Sequence, residues 1–360
     1  MINKAGRWPM SRKTGIVKDR KYLLHGANLN HPESPLRLEA IYDMLECPDM
    51  EGRFIDIAPR YATPEEIGMV HGSRFISLVA ATAGKAHQYL DPDTETTPES
   101  YNVARLAVGG FCNAVEGVIS GTVDNAFALV RPPGHHAGFD EAAGFCLFNN
   151  IAIGAMSAIR HHGMKRILIV DWDLHHGNGT QQIFYEDRRV LYFSTHQFPA
   201  YPGSGGIGEI GSGAGMGYTI NVPLRPGTDD AQYVKVLRRI LLPVARKFKP
   251  EIVMVSAGFD IYHKDPLGGM RVTPAGFACL MRILLDIADA CCGGKLAVTL
   301  EGGYHIAGLT ESTQAVLIEM TDATQVSEDE LERHDREADP RIDPVIARVI
   351  DQINPLWPVF

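Results

Sequence analysis

Short apolar runs rich in β-branched residues punctuate the chain from about residue 100 onward, at 126–130, 166–170, 190–194, 218–222, 252–256 and 296–300. Each is almost wholly apolar, as a strand buried on both faces has to be. Between them, residues 102–119, 150–160, 229–248 and 274–290 carry apolar positions at helical spacing. Strand and helix therefore alternate, which predicts βαβ units around a parallel sheet and an α/β fold class. Thr273 followed by Pro274 predicts a helix start, with a hydroxyl cap and a proline at the first helical position. Residues 1–100 read as loops and helices laid over the sheet, so that 1–320 form a single domain. Beyond Met320 the chain turns charged (SEDELERHDREADPR) and ends in a short helix expected over 344–353. Residues 321–360 read as an appended, partly helical arm and a candidate homo-oligomer contact. No internal repeat is present.

Composition narrows the class. The 360 residues are 45% hydrophobic and 21% charged, globular values that confine any disorder to local tracts. A net charge of −9 argues against a broad nucleic-acid or anionic-membrane footprint and weakly favours cationic partners. No apolar run reaches the roughly 18 residues of a membrane span, and residues 1–10 lack the apolar core of a signal peptide. A soluble, cytoplasmic protein is expected. The six cysteines include no CxxC pair, which predicts reduced thiols and neither a disulfide scaffold nor a zinc knuckle.

Histidines and aspartates cluster between His135 and His305, and they do so just past the ends of predicted strands. Run 126–130 leads into Arg131-Pro-Pro-Gly-His135-His136, and run 166–170 into Asp171-Trp-Asp173-Leu-His175-His176-Gly-Asn178. Run 252–256 ends in Ala-Gly-Phe-Asp260, and run 296–300 in Glu301-Gly-Gly-Tyr304-His305. Open parallel sheets build ligand sites at these strand ends. Asp173-x-His175 sets two metal-ligand side chains on one side of an extended segment. Asp260 from another strand completes a set of three, which leaves one coordination position open as in a catalytic zinc site. A DxH triplet alone more often caps a loop; its convergence with Asp260 and a histidine pair gives it weight.

His135 and His136, on a turn stiffened by two prolines, titrate in the range needed to take a proton from a water. Asp171 and Asn178 are candidate partners that set their tautomer and charge. The pair His161 and His162, beside basic residues at a helix end, is expected on the surface. Tyr304 after two glycines is a candidate donor to a developing oxyanion. Phe145 and Tyr201 are candidates for the walls of a narrow channel, whereas Trp172 is assigned to packing.

The motifs RPPGHHA, GFCLFNN, VDWDLHHGNGTQ, SAGFD, DPLGG and LEGGY, in this order, together with HPESPLR at 31–37, resemble the zinc-dependent histone deacetylase family. The family includes bacterial amidohydrolases and acetylpolyamine amidohydrolases, and the likeness spans about residues 15–320. It implies an arginase/deacetylase-type domain with a parallel eight-stranded sheet. It further implies one Zn2+ per chain held by Asp173, His175 and Asp260. His135, paired to Asp171, would be the electrostatic member of the tandem; His136 would be the general base; Tyr304 would polarise the acyl carbonyl. Phe145 and Tyr201 would line a tunnel for an acyl-lysine-like chain, with Leu267 at its mouth and Asp93 as a rim carboxylate. A structural K+ or Na+ would lie at Asp171, Asp173, His175, Ser194 and Thr195.

Three departures refine this. Asn178 stands where one branch of the family carries Asp, and with LEGGY it sets the chain nearer the class II branch. Tyr201 stands where Phe is commoner. Leu267 occupies the position of a gatekeeper Glu in the polyamine-specific branch, so acyl-lysine or small acyl-amides are favoured over acetylpolyamines. The implied function is removal of acetyl or other short acyl groups from acyl-lysine or acylated amines. The alternative is an acetylpolyamine amidohydrolase or a deacylase or esterase on other small acyl substrates. A two-metal arginase-like site is disfavoured because no DxHxD is present.

Overall fold

The computed structural model describes residues 12–27, 29–323 and 326–360. The expectation concerning a signal peptide at 1–10 lies outside these residues. In chain order the strands are β1 (Thr14–Val17), β2 (Ile55–Asp56), β3 (Gln88–Asp91), β4 (Thr94–Thr96), β5 (Asn125–Ala128), β6 (Ile167–Asp171), β7 (Val190–Gln197), β8 (Thr219–Leu224), β9 (Ile252–Ala257) and β10 (Leu296–Leu300). Eight of them form one sheet in the order β2-β1-β5-β10-β9-β6-β7-β8, with every pairing parallel. Strands β3 and β4 form a separate antiparallel ribbon. The fold is α/β, as the alternation of apolar runs predicts.

The six predicted strands are all present, and β5 to β10 are fully buried along nearly their whole length. The first hundred residues depart from expectation, because β1 and β2 extend the main sheet rather than cover it. Both are too short, at 4 and 2 residues, to show a pattern of their own: β1 gains its place by pairing with the distant β5, and β2 by pairing with β1. The helix expected over 229–248 is also modified. It runs as Asp230–Val236, a π-helical stretch Leu237–Leu241 and then Leu242–Phe248. Pro243 has no N–H to offer the preceding turn, and a wider turn accommodates that missing bond.

The long helices Ser100–Ile119, Asn150–His162 and Pro274–Cys292 bury apolar faces against the sheet and one another. Thr273 caps the last of these, its hydroxyl accepting from Gly276 N at 3.2 Å. Trp172, Phe259 and Phe277 pack together in the fully buried core. The C-terminal segment contributes helices Glu328–Glu337 and Asp343–Ile353. The buried Trp357 donates from Nε1 to Gly217 O at 2.7 Å and packs against Tyr218 and Phe248. All six cysteines are free thiols, and His161 and His162 are exposed. Among the described residues, no helix is long and apolar enough to cross a membrane.

Candidate active site

Strands β5, β10, β9 and β6 are consecutive neighbours in the sheet. Their carboxyl ends therefore emerge side by side, and the four residue-rich loops read from the sequence converge at one place. A pocket of about 190 Å³ opens there, lined by Asp93, His135, His136, Phe145, His175, Tyr201, Leu267 and Tyr304, with Pro133, Gly144 and Gly302 completing its wall. A larger, more open depression of about 730 Å³ lies elsewhere, lined by Lys165, Arg166, Arg188 and Arg189 among others, and holds none of this cluster.

Asp173, His175 and Asp260 lie with their donor atoms within 4.8 Å of one another. His175 Nδ1 is 3.2 Å from Asp173 Oδ1 and 3.1 Å from Asp260 Oδ2. Each carboxylate keeps its other oxygen on a backbone donor: Gly302 N to Asp173 Oδ2 at 2.8 Å, and Leu174 N to Asp260 Oδ1 at 2.8 Å. Gly302 has to be glycine here, because a Cβ would run into both carboxylates. Two fully buried acids this close compete for positive charge. Burial and then the charge of Asp173 push Asp260 up to about 7. Asp173 is held low, against the cost of burial, by His135 and His175. Burial opposes charge on His175 too, but its bonds to Asp173 and Asp260 carry it up to about 10.

The tandem histidines have different partners. His135 Nδ1 lies 3.1 Å from Asp171 Oδ2, an oxygen that also accepts from Tyr192 OH at 3.0 Å. Against the effect of burial, Asp171 and Asp173 raise His135 to about 10. His136 Nδ1 instead lies 2.7 Å from Asn178 Oδ1, a neutral acceptor. Burial, and then the positive His135 and His175, push His136 well below its ordinary value. The two rings lie 4.0 Å apart between centroids. A charged imidazole thus stands behind a neutral one.

The walls are aromatic. Tyr201 meets His136 edge to face at 5.1 Å, and Phe145 meets Tyr304 at 6.0 Å. Tyr201 and Leu267 are exposed at 42% and 41%, which sets them at the mouth. Asp93 accepts from Gly144 N at 3.2 Å, and burial followed by neighbouring Asp91 raises its carboxyl. Burial also holds the Tyr304 phenol well above its ordinary value, so it is a donor throughout the physiological range. Ser194 faces Asp171 across the β6/β7 pairing, and Thr195 Oγ1 is buried without a hydrogen-bond partner among the described residues.

Several supporting residues carry no obvious role in the sequence. Glu301 accepts from Gly134 N at 2.7 Å, His135 N at 3.2 Å and Ser256 Oγ at 2.9 Å, and so fixes the histidine loop from below. Arg37, wholly buried, donates to Gly303 O and Glu301 O, each at 2.6 Å, while its guanidinium lies 5.1 Å from the Tyr304 ring centroid. Glu33 neutralises both Arg37 and Arg131. Asp265 accepts from Tyr304 N at 2.6 Å, His305 N at 3.0 Å and Leu267 N at 3.0 Å. Each of these lies inside a quoted motif, but only three-dimensional contact shows what it holds.

A parallel α/β sheet with acids, imidazoles and a phenol gathered at its central strand ends defines a class of hydrolase-like sites, and comparison with known proteins gives the family. The histone deacetylase domain model matches residues 31–320. Histone deacetylase 15 of Arabidopsis thaliana is 42% identical over 313 residues, covering 84% of this chain and 56% of its own length. A probable deacetylase of Archaeoglobus fulgidus is 41% identical over 310 residues, covering 85% of each. Human polyamine deacetylase HDAC10 is 42% identical over 292 residues, covering 78% of this chain and 43% of its own. The crystal structure of the HDA15 HD domain superposes with a TM-score of 0.88 at 38% identity, covering 96% of this chain and 95% of that one. The chain belongs to the histone deacetylase family. It spans about half the length of the plant and human relatives.

Proposed function

We propose that this protein is a zinc-dependent amidohydrolase that removes acetyl or other short acyl groups from acyl-lysine or related acylated amines. The observation that carries the reading is that one small pocket is lined by His136, by the Tyr304 phenol and by His175, the imidazole of a metal-ready cluster completed by Asp173 and Asp260. The donor set fits the metal: two buried carboxylates and one imidazole bring their donor atoms within 4.8 Å of one another, and this mixed oxygen and nitrogen set suits zinc. When bound by Asp173, His175 and Asp260, zinc supplies a Lewis acid that polarises the acyl carbonyl and acidifies a water.

The chain's own groups supply the rest. His136 has Nδ1 engaged by Asn178, which leaves Nε2 free to take a proton from the attacking water and return it to the departing amine. His135, charged and held by Asp171, keeps His136 from gaining a proton prematurely. Tyr304 donates to the oxyanion as it forms. Phe145 and Tyr201 exclude water around the extended acyl chain. A K+ or Na+ beneath the cluster would rest on Asp171, Asp173, His175, Ser194 and Thr195, where an orphaned hydroxyl supports a ligand.

Acyl-lysine is favoured over acetylpolyamines because Leu267 brings no charge to the mouth. The human relative is named a polyamine deacetylase, so the polyamine reading is the second one. Purified protein assayed on acetyl-lysine peptides and acetylspermidine, before and after chelator treatment and zinc repletion, tests both. Release of acetate that is lost with chelator and restored by zinc is expected. Absence of turnover on every substrate, or indifference to chelator, overturns the proposal.

A further inference from the structure

A second group of metal-ligand side chains lies outside the pocket. Cys279 of helix Pro274–Cys292 and Glu330 and His334 of helix Glu328–Glu337 bring a sulfur, a carboxylate oxygen and an imidazole nitrogen within 4.8 Å of one another. Glu330 and His334 are four residues apart, the spacing that sets two side chains on one helix face. Cys279 comes from a different helix and is 1% exposed. Neither its thiol nor the His334 imidazole has a hydrogen-bond partner among the described residues, and Glu330 has only an ion pair with Arg333 at 3.6 Å. Asp230 and Glu319 add further negative charge around the sulfur, and Arg333 opposes it in part. Thiol, imidazole and carboxylate thus converge from two helices, and a cation would give all three donors a shared partner.

We propose that Cys279, Glu330 and His334 form a second, non-catalytic transition-metal site that clamps helix Glu328–Glu337 onto the domain. Thiolate, imidazole and carboxylate together select Zn2+ or Co2+ over Mg2+ or Ca2+. Binding displaces the thiol proton to solvent and forms a metal–sulfur bond, with water completing the shell. The site contributes no group to the pocket, so its metal serves attachment of residues 328–337 rather than turnover.

The two sites differ in a way that spectroscopy separates, since only this one contains sulfur. Co2+ titrated into metal-free full-length protein should produce a thiolate-to-cobalt charge-transfer band in the near ultraviolet. The band should persist in the Asp173→Ala/Asp260→Ala double variant, which also retains one zinc equivalent. It should vanish in Cys279→Ser and weaken at least tenfold in Co2+ affinity in His334→Ala. Zinc should slow hydrogen exchange across 328–337 in the double variant but not when Cys279→Ser is added. Cys279→Ser should retain acyl hydrolysis, which keeps this test separate from that of the proposed function. No charge-transfer band in the double variant, or a band that survives Cys279→Ser, overturns the proposal.

Discussion

The Nδ1 atom of His136 lies 2.7 Å from Oδ1 of Asn178, while the adjacent His135 meets a carboxylate, Asp171. A neutral amide orients the ring without drawing a proton onto it, while burial and then the neighbouring His135 hold the His136 pKa well below its ordinary value. Asn178→Asp adds a negative charge at hydrogen-bond distance, which raises the pKa of His136 by about one to two units. A base must be unprotonated to act, so the acidic limb of the kcat/KM pH profile should move up by the same amount. An unmoved limb would show that His136 is not the group titrating there.

Tyr304→Phe should lower kcat on acetyl-lysine peptides by about 10² to 10³, the loss typical of one oxyanion donor. KM should change less, because the bond strengthens chiefly in the transition state. The stacked Arg37 and the amide contacts to Asp265 hold the backbone at 304 independently of the hydroxyl, so the variant should fold. A well-folded variant with unchanged kcat would remove Tyr304 from the chemistry.

His136→Ala should be more damaging than His135→Ala, because the first loses the proton acceptor and the second loses a charge behind it. Both variants should still bind zinc, since neither residue belongs to the cluster of Asp173, His175 and Asp260. Single-turnover rates of the two zinc-loaded variants decide the matter. The reverse order of damage would exchange the roles.

Much of the candidate site is legible in the sequence because Asp171, Asp173, His175, His135, His136, Asp260 and Tyr304 each sit within six positions of the end of an apolar run. Strand ends are strong signals when strands are buried on both faces, as β5, β6, β9 and β10 are. The order β5-β10-β9-β6 is not legible, since it depends on which strands pair across separations of 171, 43 and 85 residues. For the same reason β1 and β2 are missed: a run of four apolar or neutral residues acquires meaning only from its partner. Glu33, Arg37 and Asp265 are visible as letters within motifs. Their work is to hold backbone from a distance, Arg37 reaching residues 301 and 303, and no local spacing encodes that.

Glu33 tests how much that buried support matters. Its carboxylate lies between Arg37 and Arg131, at 3.0 Å and 2.5 Å, with all three side chains essentially inaccessible. Burial opposes its ionisation, but the two guanidinium groups hold the carboxyl far below its ordinary value. Glu33→Gln leaves two buried cations without their counter-charge and should cost about 3–5 kcal/mol. Because the folded pKa is depressed, the wild type keeps this stability above the unfolded value of about 4.3 and loses it as pH falls below. Denaturant unfolding from pH 3 to 7 should therefore show a steeper acid-side loss for the wild type than for Glu33→Gln. Equal slopes would mean that the triad does not set acid stability.

Substrate choice turns on Leu267, whose N–H is fixed by Asp265 and whose side chain stands at the pocket mouth. A cationic polyamine arm leaving the tunnel needs a carboxylate to replace its hydration, and leucine offers only apolar contact. The wild type should therefore prefer acetyl-lysine peptides over acetylspermidine in kcat/KM, and Leu267→Glu should shift the ratio toward the polyamine. A paired carboxylate near a surface mouth supplies about 1–3 kcal/mol, or one to two decades, and less as salt rises. Asp93 is the one acid among the described residues that line this pocket, although its bond to Gly144 N points part of its charge inward. The net charge of −9 attracts any cation, but that long-range pull fades with ionic strength, whereas contact with a specific carboxylate survives it. The two kcat/KM values are to be measured at low and high salt in wild type, Leu267→Glu and Asp93→Asn. A wild-type polyamine preference that persists at high salt and disappears in Asp93→Asn would transfer the gatekeeping role from position 267 to Asp93.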